Sequence, residues 1–347
     1  MFIQILLLIV GFILLIKGAD IFVEGASKVA AMLHIPQIVI GLTIVAFGTS
    51  APEAAVSIPS ALKGTSGIAI GNIVGSNIAN VLLILGASGL IGELVVKKNT
   101  FFIETPFVIL ITIVLYFLGY VDGNLAFIDG VVLWIFFFAF LLYLFYLTKK
   151  GDDSAVDDVP ELEEDDRLWK LILMIVLGII CVVVGSQVTV DAASEMARTF
   201  GVSDRLIGLT IVSVGTSLPE LVTSVSASFK GRYDIAVGNI IGSNIFNILF
   251  VLGTTALVAP GGVPFASNFL LDGIISIGAV LLFMAFTGKK LRLKKYGAGI
   301  MLFCYTAYIV INFTKFSYHE NSKRVVNPCN SFSFIFLSSL LVFSQSL

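Results

Sequence analysis

The sequence predicts an all-α membrane protein of about ten transmembrane helices arranged as two inverted five-helix repeats. Three observations carry that reading. Hydrophobic residues make up 57% of the 347-residue chain and charged residues only 13%, with a mean hydropathy of +1.02. A soluble domain carries roughly a quarter charged residues. The apolar residues lie in long runs that end at charge clusters or at Gly, Pro and Asn. One 46-residue block occurs twice without a gap.

Taken in order, the apolar runs give spans over residues 2–26, 37–61, 67–92, 101–120, 126–148, 168–194, 205–229, 234–258, 268–287 and 296–314. Each approaches the roughly 20 residues needed to cross the hydrocarbon. The first run has no basic stretch before it. It continues through Lys17 and Gly18 into further apolar sequence, so it reads as a span and not as a cleaved leader. Lys149 to Arg167 is the strongly polar stretch, with an acidic run from Asp152 to Asp166. It divides the chain into a first repeat (1–148), an acidic linker (149–167), a second repeat (168–315) and a Ser- and Phe-rich tail (316–347). The linker lacks the spacing of an EF-hand loop and reads as a solvated charge run. Phe101, Phe102 and Phe136 to Phe138 read as lipid-facing bulk.

A net charge of -2 gives no basis for nucleic-acid binding. The cysteines, Cys181, Cys304 and Cys329, form no CxxC pair and no disulfide framework. His34 and His319 lie too far apart in sequence to suggest zinc. Counting Lys and Arg on alternate loops assigns Lys97, Lys98, Lys149, Lys150, Lys230, Arg232 and the Lys289 to Lys295 cluster to one side. The positive-inside rule puts that side, with the linker, in the cytoplasm and both termini outside. The implied location is a prokaryotic inner (plasma) membrane.

The repeated block is Gly41–Gly86 over Gly208–Gly253, with 26 of 46 positions identical. The register extends upstream, Gly18 falling on Gly185 and Glu24 on Asp191. Five spans separate the copies. An odd displacement inserts the second copy from the opposite face, which gives a pseudo-two-fold axis in the membrane plane.

Each copy holds G-T-S-x-P-E, at Gly48 to Glu53 and Gly215 to Glu220. On one helix Thr49, Ser50 and Glu53 share a face, as do Thr216, Ser217 and Glu220. Proline lacks an N–H and clashes with the carbonyl four residues back, so Pro52 is expected to free the carbonyl of Gly48, and Pro219 that of Gly215. Each copy also holds G-N-x-x-G-S-N-I-x-N, with Ser76 and Asn80, and Ser243 and Asn247, one turn apart. Gly71 and Gly75, with their counterparts, form small-residue strips for close helix approach. Glu53 and Glu220 decide the chemistry. A carboxylate in mid-bilayer costs several kcal/mol, and no Lys or Arg occurs in either motif. Carboxylates, hydroxyls and carbonyls without a soft donor suit a hard cation. Two facing carboxylates make an empty site costly to occlude and a loaded one neutral, which is the logic of exchange.

These paired motifs resemble the alpha repeats of the sodium/calcium exchanger family in its compact prokaryotic form, and the resemblance covers roughly residues 1–315. It implies a ten-helix inverted-repeat fold, Ca2+ and Na+ as transported ions competing at one site, and no cofactor. Carried over by position, the ligands are Thr49, Ser50, Glu53, Ser76 and Asn80 from one repeat. From the other they are Thr216, Ser217, Glu220, Ser243 and Asn247. The backbone carbonyls of Ala46 and Ser213 complete the sodium sites. Several family members have an acid where this chain has Asn247, and the amide here points away from K+ dependence. Three functional classes stay in play: a Na+/Ca2+ antiporter, a cation/proton antiporter using the same glutamates, and a cation channel, which small-residue packing disfavours. No nucleophile–base set supports an enzyme.

Overall fold

The computed structural model describes residues 2–62, 67–150, 162–163, 166–200, 213–265 and 269–324. The chain is helical, with two short ladders. The helices are α1 (Phe2–Met32), α2 (Gln37–Thr49), α3 (Ala51–Leu62), α4 (Ala69–Ile91), α5 (Thr100–Asp122), α6 (Phe127–Lys149) and α7 (Leu168–Thr199). They continue as α8 (Ser213–Thr216), α9 (Leu218–Phe229), α10 (Tyr233–Val258), α11 (Phe269–Thr287) and α12 (Lys295–Arg324). Among the described residues seven helices are long and apolar enough to cross a bilayer, or eight if α2 and α3, bent by 51°, form one span. The first third of the expected 205–229 span, through residue 212, lies outside the described residues, as does most of the acidic linker. The expected last span, 296–314, falls within α12, which is not among the seven.

Two compact units are present, Met1–Leu302 and Phe303–Leu347. In the second, the described part is the end of α12, where Asn312 Nδ2 donates to the Tyr308 carbonyl at 3.0 Å.

Helices α10 and α4 are central in the first unit. Of their most apolar stretches, 94% and 78% are buried, against 22% for α1 and 28% for α6. The sequence explains how α10 reaches the centre. Gly238 stands against the Ile38 carbonyl and Gly41 Cα, so that a Cβ there would sit 3.0–3.1 Å from backbone of α2 and its wide π-helical turn, Gly41–Val45. Helices α1 and α7 run antiparallel on the same principle. A Cβ at Gly178 would lie 2.7 Å from backbone atoms of Phe22, and one at Gly185 would lie 2.9 Å from the Gly11 carbonyl.

Strand β1 (Leu94–Val95) pairs antiparallel with β4 (Arg292–Leu293), and β2 (Asn124–Leu125) with β3 (Val263–Pro264). The first ladder joins the loops after α4 and α11. Lys97 reaches Asp234 at 3.3 Å, beside the same loop. The second ladder joins the loops after α5 and α10. Lys28, near the end of α1, holds the only described part of the acidic linker through Glu163 and Asp166, each at 3.0 Å. The Glu163 N–H and the Lys28 ammonium hold the Asp166 carboxyl below the usual carboxylate range. Asp20 accepts from Ser226 at 2.6 Å, and Lys230 lies 3.6 Å from Glu24, so the acids of α1 grip the end of α9.

One expectation needs correction. Phe101 is buried, not lipid-facing, because the π-helical turn Thr100–Glu104 rolls it inward while Phe102 stays exposed. An intramembrane acid outside the repeated motifs is also present. Glu104 is buried and accepts a hydrogen bond from the Tyr143 hydroxyl.

Candidate cation site

Both G-T-S-x-P-E segments break at the serine. Ser50 (φ −83°, ψ 9°) separates α2 from α3, and Ser217 (φ −88°, ψ 4°) separates α8 from α9. Each helix restarts one residue later, so Pro52 and Pro219 occupy the second helical position, where a missing N–H costs nothing. This corrects the expectation that they interrupt a continuous helix. The Gly215 carbonyl accepts a hydrogen bond from Ser186 of α7 at 2.8 Å. Asn80 and Asn247 each open a π-helical turn, Asn80–Ile84 in α4 and Asn247–Leu252 in α10. Such wide turns concentrate at functional sites.

Glu53 and Glu220 are both fully buried, at 0% exposure, and lie within electrostatic reach of each other. Among the described residues neither is in an ion pair. The hydroxyls of G-T-S do not gather round the glutamate of their own segment, as one continuous helix face would require. The bend turns them across the repeat boundary. Ser50 Oγ donates to Glu220 Oε1 at 2.8 Å. Thr49 donates to Asn239 Oδ1 at 2.9 Å, and the Asn239 amide in turn holds Ser224 at 2.9 Å. The mirror contacts are Thr216 to Asn72 Oδ1 at 3.4 Å and the Asn72 amide to Ser57 at 3.2 Å. Ser76 donates to Glu53 Oε1 at 3.3 Å and accepts from Ser217 at 3.2 Å.

Four amides close the centre. Asn80 Nδ2 donates to Asn244 Oδ1 at 2.9 Å, and Asn247 Nδ2 to Asn77 Oδ1 at 3.0 Å. Asn77 and Asn244 donate to each other's backbone carbonyls, both at 3.3 Å. All four are at most 2% exposed. Five buried side-chain oxygens in these motifs then have no hydrogen-bond partner: Glu53 Oε2, Glu220 Oε2, Asn80 Oδ1, Asn247 Oδ1 and Ser243 Oγ. An unsatisfied buried oxygen costs about 1–3 kcal/mol; four of the five lie at matching positions of the two repeats, and oxygens of this kind suit a hard cation.

The Ala46 carbonyl accepts the Ser50 N–H at 3.0 Å and the Thr49 hydroxyl at 3.3 Å. Ser213 opens α8. Sequence reasoning left Asn72, Asn77, Asn239, Asn244, Ser57 and Ser224 out of the ligand set. Ser57 and Ser224 are identical at matched positions of the overlay, one turn after each glutamate, a signal that was there to use. A cavity of about 330 Å3, lined by Phe47, Gly48, Phe137, Phe140, Gly242 and Phe246 among others, is apolar and holds none of these oxygens.

The pattern of the family described as "Sodium/calcium exchanger protein" matches the chain twice, over residues 3–146 and 170–314. The chain belongs to the sodium/calcium exchanger family. Among its relatives, CaxA of Alkalimonas amylolytica, an antiporter by name, is 39% identical over 326 residues, covering 90% of this exchanger and 100% of CaxA. The sodium/calcium exchanger MaX1 of Methanosarcina acetivorans is 33% identical over 348 residues, with 89% and 98% covered. A solved structure of the sodium-calcium exchanger NCX_Mj superposes with a TM-score of 0.76 at 31% identity, covering 89% of this exchanger and 98% of that chain. The family is one of membrane transporters, and the exchanger is an integral membrane protein.

Proposed function

We propose that this exchanger moves Ca2+ against Na+ by alternating access at one mid-membrane site shared by both ions. The observation that carries the reading is the pair of buried carboxylates, in no ion pair among the described residues, each with one unpartnered oxygen, together with the unpartnered oxygens of Asn80, Asn247 and Ser243. The ligands are Glu53 and Glu220 with Thr49, Ser50, Ser76, Asn80, Thr216, Ser217, Ser243 and Asn247, and the carbonyls of Ala46 and Ser213 for Na+. Empty, the site holds two charges in a dry interior and is costly to occlude. One Ca2+ or several Na+ neutralise it, so only loaded forms change sides.

The scaffold in this reading is ten spans in two inverted halves, 1–148 and 168–315, joined by the linker 149–167 and followed by the tail 316–347. The twofold family match and the matched contacts of Thr49 and Thr216 support it. So do the ladders, which join loops that alternating crossings bring to the same side. The linker is cytoplasmic and both termini are outside, in the inner membrane of a prokaryote.

The test is 45Ca2+ uptake into Na+-loaded proteoliposomes by wild type, Glu53→Gln and Glu220→Gln. Uptake driven by the Na+ gradient and reduced at least about 100-fold by either substitution is expected, more than the roughly 10–100-fold loss typical of an outer-shell partner. Uptake indifferent to Na+ and driven by a pH gradient would instead select a Ca2+/H+ exchanger working through the same glutamates.

A further inference from the structure

We infer that Asn77 and Asn244 are positioning residues that orient the amides of Asn80 and Asn247, so that each offers its oxygen, and not its NH2 group, to the cation. The inference rests on the proposed ligand role of Asn80 and Asn247 and deepens it. An amide can in principle be turned either way, with oxygen and nitrogen exchanged. Here the backbone removes that freedom. The atom of Asn244 that faces the Asn77 carbonyl, at 3.3 Å, meets a pure acceptor, so it must be Nδ2. Its other atom, facing Asn80, is therefore Oδ1. The atom of Asn80 that meets that oxygen at 2.9 Å must then be Nδ2. Only one atom of Asn80 is left, Oδ1, and it is buried with no partner.

The same chain of necessity runs from the Asn244 carbonyl through Asn77 to Asn247, whose Oδ1 is likewise unpartnered. Two backbone carbonyls thus set four amides. The orientation crosses the repeats: Asn244 of the second holds Asn80 of the first, and Asn77 of the first holds Asn247 of the second. A chemical consequence follows for charge. A carboxylate at 80 or 247 would set one acceptor oxygen against another, so this arrangement confines the negative charge of the site to Glu53 and Glu220.

The test is a set of crossed double-mutant cycles read by equilibrium 45Ca2+ binding to the purified full-length chain, with thermal unfolding followed in parallel. Asn80→Ala, Asn247→Ala, Asn77→Ala and Asn244→Ala are each expected to weaken binding, by about 10–100-fold for the positioning pair. Asn80→Ala and Asn244→Ala should be strongly non-additive, as should Asn247→Ala and Asn77→Ala. The uncrossed pairs, Asn80 with Asn77 and Asn247 with Asn244, should be close to additive. A purely structural role moves the unfolding temperature without this crossed pattern. Should an alanine variant fail to fold, Asn77→Ser and Asn244→Ser, too short to span the gap but still polar, take its place with the same expectation. Equal coupling in crossed and uncrossed pairs, or unchanged binding in Asn77 and Asn244 variants while Asn80→Ala weakens it, would overturn the inference. Unchanged binding in Asn80→Ala itself would instead remove the ligand role on which it stands.

Discussion

Side chains here are paired across the repeat boundary more than along their own helices. Ser50 serves Glu220, Thr49 serves Asn239, and the four central amides are interlocked. The motif residues were legible because carboxylates, hydroxyls and amides recur at fixed spacing in an otherwise apolar chain. Their partners were not. Two copies of one motif make pairing within a repeat and pairing between repeats look identical by spacing. Only the bend at Ser50 and Ser217 decides between them. Asn247→Asp should lower Ca2+ transport severely in the wild-type background, because its carboxylate meets the Asn77 oxygen. Asn77→Ser, too short to bring an oxygen against that carboxylate, should restore a measurable part of it. Uptake assays on the single and double variants check this, and full activity of Asn247→Asp alone would count against it.

Between helices, glycine decides which pairs approach. The α1–α7 and α2–α10 crossings both depend on the absence of a Cβ, and at Gly178 the obstacle is backbone of Phe22, which has no rotamer to yield. Gly178→Ala should therefore destabilise the protein by about 1–3 kcal/mol, the usual cost of overpacking. The measurement is thermal unfolding in detergent, with Gly123→Ala as a poor comparison, since Gly123 sits at φ +63° and is strained for a different reason. A better control is Gly75→Ala, where no described atom lies within 4 Å of the added carbon. The sequence announced the strip of Gly238 and Gly242 through small residues at helical spacing, but not the α1–α7 glycines, and Gly71 and Gly75, expected to pack as closely, meet nothing nearer than 3.8 Å. It did not announce the π-helical turns, because they arise from how neighbouring helices pack and leave no compositional mark. Pro52 was misread for a related reason: an N-terminal and an interior proline look alike until the helix boundary is known.

At the scale of the whole molecule, the apolar runs and the 46-residue duplication disclosed a helical membrane protein and its family. The proposed sidedness rests on charge counting. Cysteines introduced singly into a cysteine-free background at Asp157 and at Gly261 should react with a membrane-impermeant maleimide from opposite faces, Asp157 from the cytoplasm. Labelling of both from one face would break the inverted arrangement. At acidic pH the strap between Lys28 and the linker should loosen. The depressed Asp166 carboxyl stabilises it above the ordinary carboxylate pKa of about 4, and that contribution is lost as pH falls through the lower folded-state value. Faster proteolysis of the linker at low pH with an acid-stable protease is the readout.

Everything proposed for transport depends on one buried site that accepts either ion through Glu53 and Glu220. Equilibrium 45Ca2+ binding to purified protein over a series of Na+ concentrations tests this most directly. Saturable Ca2+ binding that Na+ displaces competitively, and that Glu53→Gln and Glu220→Gln each abolish, is the expected result. Ca2+ binding that survives both substitutions, or that Na+ leaves unchanged, would contradict it.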